Sequence, residues 1–148
     1  IEKNIIRRIF VMFEPDTKRA GRLADIFRLN REQKEHLLEL SKAKLSKNSF
    51  KDSVSINRAV YLYGKDVCRD KWLCLNLDNT NEEKTKDILN TLDSMNIPFF
   101  PLNGKDLIQI GADQKLIGLY IDALKKDWYE HGCCLSKEEL IRKYKEIF

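Results

Sequence analysis

Histidine is scarce in this 148-residue chain: there are two, His36 and His131, far apart in sequence. A Ser-His-Asp or Cys-His constellation therefore has little to draw on, and each histidine is expected at the surface or at a helix cap. Four cysteines are present, Cys68, Cys74, Cys133 and Cys134, but none forms a Cys-x-x-Cys knuckle. That spacing does not suit zinc, and nothing secretory argues for disulfides. Cys68 and Cys74 are expected as small core residues of an apolar helix. Apolar runs extend only a few residues, far short of a membrane span, and Glu2, Arg7 and Arg8 break up the start against a signal peptide. No alternating strand pattern and no internal repeat occurs. Also missing are a Gly-rich phosphate loop, an Asp-x-Asp pair, a His-Glu-x-x-His motif and a nucleophile elbow. Catalysis and metal binding are accordingly not expected of this segment, and no catalytic residue is assigned.

Charge is plentiful. Lys, Arg, Asp and Glu make up 34% of the chain, and the net charge is +4. The excess is uneven. Residues 1–31 carry +4, residues 32–80 carry +2 and residues 81–148 carry −2. A polyanion is expected to dock on the N-terminal half, against the plainer alternative that these charges are solvated helix faces. The chain opens on Ile1 rather than Met, which reads as a fragment or processed product.

The periodicity is helical nearly throughout. Ile5, Ile6, Ile9, Phe10 and Phe13 share a face, and Pro15 ends that helix. Asp16 caps a second helix, and Asn30 with Gln33 forms a capping box for a third. The polar stretch 42–53 reads as a frayed end and a mobile connection. Ser55 is expected to cap a short helix closed by Gly64. A more apolar helix follows, carrying Val67, Cys68, Trp72 and Leu73, and it belongs at the centre of a bundle. Residues 78–81 read as a loop, with Asn81 capping a helix over 82–95. Pro98 and Pro101 impose an extended link over 97–102. Asn103 or Gly104 starts a very short helix, Asp113 a longer one ended by Gly132, and Ser136 with Glu139 boxes the last. The fold class is all-α: a bundle of about seven or eight short helices.

One unit stands out. Residues 97–128 hold two prolines and three glycines, and Gly104, Gly111 and Gly118 fall seven residues apart. Each glycine is expected to mark a turn or a close approach. A short helix, a glycine turn and a second helix can aim backbone N–H groups at a phosphate, with Lys105 and Lys115 alongside. Tight helix packing at Gly111 and Gly118 explains the same glycines equally well.

The run FPLNGKDLIQIG, then Ile117-Gly118 and a helix through Ala123-Leu124 to Trp128, resembles the C-terminal region of bacterial CCA-adding tRNA nucleotidyltransferases and the related poly(A) polymerases. INRAVYLYGKDVCRDKWLC resembles the helix pair that precedes that region. ADIFRLNREQKEHLLEL resembles the family's helix–RLSN–helix stretch. The likeness covers about residues 20–130, and its marker residues are Pro101, Gly104, Asp106, Leu107, Gly111, Gly118 and Trp128. The family's usual Gly-Pro helix start is absent; Asp113-Gln114-Lys115-Leu116 stands in its place, and Asp113 would repel a phosphate there.

The resemblance implies a division: residues 1–53 as the end of a helical body, residues 54–148 as a tail, and a catalytic head N-terminal to Ile1. It implies a cytoplasmic, RNA-binding segment that holds the elbow and acceptor arm of tRNA. The absent head would transfer nucleotides with Mg2+ and ATP or CTP; this segment would bind no cofactor. The expected partners are tRNA or another RNA and the head itself, not a membrane. Arg58, Lys65, Arg69, Lys105 and Lys115 are the expected RNA contacts, by charge and by position on the matching stretches. A helix-hairpin-helix module for DNA and a purely structural interaction bundle are the competing readings. The choice among CCA addition, A addition and poly(A) synthesis lies outside the segment.

Overall fold

The computed structural model describes residues 2–77 and 81–148, and it is all-α. Nine α-helices and two 3-10 turns, and no strand, occur among the described residues. The helices are α1 (Glu2–Phe13), α2 (Thr17–Ile26), α3 (Arg31–Lys42), α4 (Ser53–Tyr63), α5 (Lys65–Leu75), α6 (Glu82–Ser94), α7 (Gly104–Gln109), α8 (Ile117–Glu130) and α9 (Lys137–Ile147). The 3-10 turns are Lys47–Phe50 and Gln114–Leu116.

Most helix starts follow from short polar side chains. Asp16 accepts from Arg19 N, and Asn81 accepts from Lys84 N. Asn30, Asn103 and Ser136 each make a full capping box, with Gln33, Asp106 and Glu139. One expectation is corrected: Asp52, not Ser55, caps α4. The Asp52 carboxylate accepts from the Ser55 backbone N–H at 2.8 Å, and that bond holds its pKa below the usual carboxylate value. Of the expected 78–81 loop, residues 78–80 lie outside the described residues.

The chain forms two compact units, residues 1–50 with 63–96 and residues 51–62 with 97–148. The units therefore interleave in sequence, where a single cut near residue 53 was expected. The physical reason is α5, which packs on α1, α3 and α6.

In the first unit, Ile6, Ile9, Ala20, Leu23, Leu37, Leu40, Ala43 and Val67 form one buried cluster. Cys68 is buried in α5, and desolvation pushes its thiol up to about 12. The 42–53 stretch differs from the mobile connection expected of it. Phe50, at the end of the first 3-10 turn, is 1% exposed and lies 5.0 Å, centroid to centroid, from Trp72. A single anchored aromatic outweighs its polar neighbours.

This unit also holds the one buried charged residue among the described residues, Asp70, on α5. Arg7 Nη1 of α1 donates to Asp70 Oδ1 at 3.0 Å, and His36 Nε2 of α3 lies 2.6 Å from Oδ2. His36 is thus a half-buried partner of a carboxylate, not the surface or capping residue expected. His131 does cap: its Nδ1 bonds the Asp127 carbonyl at 2.7 Å in the last turn of α8.

The second unit is built on Trp128. Tyr61 and Phe100 meet it edge-on at 4.8 and 5.4 Å, and Leu102, Leu107, Leu124 and Leu140 complete the buried set. Lys137 of α9 binds the Asp106 carboxylate of α7 at 2.7 Å. Gly132 ends α8 at φ +76°, and a Cβ there would sit 3.0 Å from Val54 Cα.

Replacing Asp70 with Ala should remove the carboxylate that joins Arg7 and His36 and lower stability by about 3 kcal/mol, read from urea denaturation. Gly132→Ala should cost on the order of 2 kcal/mol, since backbone strain and the Val54 clash coincide.

Candidate nucleic-acid interface

The five cations singled out in the sequence fall on different units. Arg58, Lys105 and Lys115 belong to the second unit, Lys65 and Arg69 to the first. Lys65 Nζ donates to the Met95 carbonyl, and Arg69 pairs with Asp93. Both bonds tie α5 to the C-terminal end of α6, so these two cations serve the fold. Arg58 lies over the Tyr129 ring, 5.7 Å from its centroid. Lys105 and Lys115 are exposed. Between α7 and the start of α8 lies an open depression of about 560 Å3, lined by Asn103, Gly104, Lys105, Ile108, Gln114 and Ile117.

The three evenly spaced glycines do not share one role. A Cβ on Gly104 would press on Ile117 Cγ2 at 3.1 Å, so Gly104 permits close packing of α7 on α8. Gly111 turns the chain at φ +90°. Gly118 does neither; it is exposed in the first turn of α8, its φ is negative, and a Cβ would meet nothing within 4 Å. The other marker residues sit in the second unit's packing and capping. Leu107 and Trp128 are buried, Pro101 is half-buried, and Asp106 is held in its capping box and by Lys137.

A more coherent cationic face lies on α2, in the strongly basic stretch 1–31. Its core side is Ala20, Leu23 and Ala24. Lys18, Arg19 and Arg22 are exposed, and none forms an ion pair with a described residue. Helical spacing of three and four residues gathers them on one side. Ile26, 71% exposed, extends that side by one turn, and Arg28 follows in the left-handed region at φ +51°. Asp25, also exposed, is drawn toward Lys34 Nζ at 3.9 Å.

Gly21 lies in the middle of this helix. A glycine there costs about 1 kcal/mol relative to alanine. Nothing in the described structure requires it: a Cβ at Gly21 would meet nothing within 4 Å. The sequence signal for the face was the charge tally of residues 1–31.

Elsewhere, Lys71 Nζ lies 4.4 Å over the Phe10 ring, and burial pulls its pKa down. It borders a depression of about 360 Å3 with Phe10, Pro15, Ser41, Cys74 and Leu77. Burial likewise raises the Cys74 thiol and takes Cys133 up to about 11, conditions that keep both thiols protonated. Among the described residues no group of three His, Cys, Asp or Glu is placed to hold a metal ion. No helix among them is long and apolar enough to cross a membrane.

The Asp106 carboxyl is held below its ordinary value of 3.8, first by Lys137 and then by the Asn103 backbone N–H. A depressed folded pKa means that its stabilising contribution is complete above that ordinary value and is lost as pH falls through the folded value. Lys137→Met should move the Asp106 carboxyl titration upward, as read by NMR, and should weaken the acid-side dependence of stability. Comparison of the chain with protein-family models, with curated proteins and with solved structures found no match.

Proposed function

We propose that this chain is a non-catalytic RNA-holding module, of the kind found at the C-terminal end of CCA-adding tRNA nucleotidyltransferases and poly(A) polymerases. In this reading it works in the cytoplasm and grips the backbone of the tRNA elbow and acceptor arm. A separate head domain performs the nucleotide transfer with Mg2+ and ATP or CTP. The observation that carries the reading is the α2 face, where Lys18, Arg19 and Arg22 stand exposed with no described carboxylate to neutralise them.

A-form RNA is recognised through shape, phosphate and 2′-hydroxyl contacts. That task needs a rigid, basic helical surface and no reactive side chain. The buried cluster beneath α2 supplies the rigidity: Ala20, Leu23 and Ala24 are each no more than 6% exposed. Lys105 and Lys115 provide a second, weaker set of contacts on the other unit. The acidic Asp113 beside Lys115 argues against a phosphate seated on the second 3-10 turn, since its carboxylate already accepts the Lys115 backbone N–H at 3.0 Å.

A second reading keeps one specific observation in its favour. α7, the Gly111 turn and α8 follow one another as helix, tight turn and helix, the arrangement that a helix-hairpin-helix presents to duplex DNA. Competition between tRNA and a DNA duplex of similar charge separates the two.

Fluorescence titration with tRNA should show binding that weakens steeply as salt rises. The triple variant Lys18→Ala, Arg19→Ala, Arg22→Ala should reduce the log–log salt slope by roughly 2 to 3. The chain alone should incorporate no labelled ATP or CTP into tRNA. Absence of tRNA binding at low salt, or clear preference for the DNA duplex, would sink the RNA reading.

A further inference from the structure

We infer that Cys133 and Cys134 form a two-thiol modification site, which small disulfide-bearing molecules oxidise reversibly to a Cys133–Cys134 disulfide. The inference concerns the second unit alone and stands independently of RNA binding.

Neighbouring side chains on an extended chain point to opposite sides. The turn after α8 is not extended. Gly132 and Cys133 both take left-handed backbone angles, φ +76° and +60°. Backbone bonds close the turn: Cys133 N–H donates to the Trp128 carbonyl at 3.0 Å, and Gly132 N–H to the Tyr129 carbonyl at 3.2 Å. Left-handed backbone is unfavourable for a cysteine, so the surroundings must hold it there. Asn57 of α4 is the meeting point. Its Nδ2 donates to the Gly132 carbonyl at 3.0 Å, and the Cys134 thiol donates to that same carbonyl at 3.2 Å. The Asn57 backbone carbonyl in turn accepts from the Cys133 thiol at 3.8 Å. Both sulfurs therefore border one residue and belong to one tight turn.

Among the described residues no third His, Cys, Asp or Glu joins the pair to complete a metal-ligand set. What two adjacent thiols offer by themselves is disulfide exchange. Their access is unequal. Cys134 is exposed, whereas Cys133 packs against the Trp128 cluster and burial keeps it protonated. Cys134 is thus the attacking thiol. Having given its proton to water, its sulfur attacks the small disulfide and bonds to one half of it. The other half leaves as a thiolate and takes up a proton. Cys133 then loses its proton, and its sulfur attacks the Cys134 sulfur and releases the second small thiol. The two protein thiols give up two electrons and two protons; the small disulfide gains both and becomes two thiols.

The resulting bond differs from a structural crosslink. Adjacent Cα atoms lie about 3.8 Å apart, short of the roughly 4.4–6.8 Å that a disulfide favours. The closed ring is therefore strained and readily reduced, as suits a transient, redox-sensing bond. Closure also withdraws the Cys133 sulfur from the Asn57 carbonyl, so α4 loses part of its hold on the end of α8.

The test incubates the reduced chain with glutathione disulfide, blocks free thiols with N-ethylmaleimide and reads the digest by mass spectrometry. The peptide carrying both cysteines should appear unblocked and lighter by two hydrogens, and dithiothreitol should restore it. Cys133→Ser should stop at the glutathione adduct on Cys134. Cys68, buried in the first unit, should stay reduced. Amide exchange in α4 should quicken on oxidation of the wild type and should not change in Cys134→Ser treated alike. Oxidation confined to the pair, reversed by dithiothreitol and accompanied by faster exchange in α4, supports the inference. Thiols that stay unreacted, arrest of the wild type at the Cys134 adduct, or a Cys134 link between two chains overturns it.

Discussion

The carboxylate of Asp70 joins three helices that are far apart in sequence. It sits on α5 at 3% exposure and accepts from Arg7 of α1 on one oxygen and meets His36 of α3 on the other. A buried carboxylate is costly unless both oxygens are satisfied, and satisfying them fixes the register of α1 and α3 against α5. The apolar cluster of Ile6, Ile9, Leu37, Leu40 and Val67 supplies most of the attraction in this unit but little direction. α2 packs on α3 and depends on that frame for its orientation. The cationic face of α2 is therefore positioned through α3.

The second unit uses a different device. Trp128 collects Tyr61 and Phe100 edge-on, and the charged pairs stay near the margin. Lys137 reaches Asp106, and Lys143 reaches Asp127 at 2.6 Å. Each pair links two helices of a cluster already closed by leucines. These pairs are partly hydrated, so their strength is modest and their main effect is to select one arrangement.

Local features of the fold were legible in the sequence. Asn30, Asn103 and Ser136 announced their helices because a capping box is a contact among residues three apart. Pro15 and Gly132 marked helix ends for equally local reasons. Long-range features were not legible. Nothing near Asp70 in sequence reveals Arg7 or His36, and nothing in KAKLSKNSFKDS says that Phe50 finds Trp72. The same division governs the candidate site. Charge tallies located the basic stretch, but whether a given cation is engaged depends on partners far along the chain. Lys65 and Arg69 looked as available as Lys18 and Arg22 until Met95 and Asp93 were placed beside them.

That contrast separates the cations more sharply than net charge does. A lysine or arginine bound to a carboxylate or a helix C-terminus must give up that interaction before it can hold a phosphate, which offsets much of the gain. A cation left exposed on a rigid helix has no such contact to lose, and its counterions are what a phosphate strand displaces. By this criterion the cations of α5 are already engaged, and those of α2 are the ones that no described carboxylate holds.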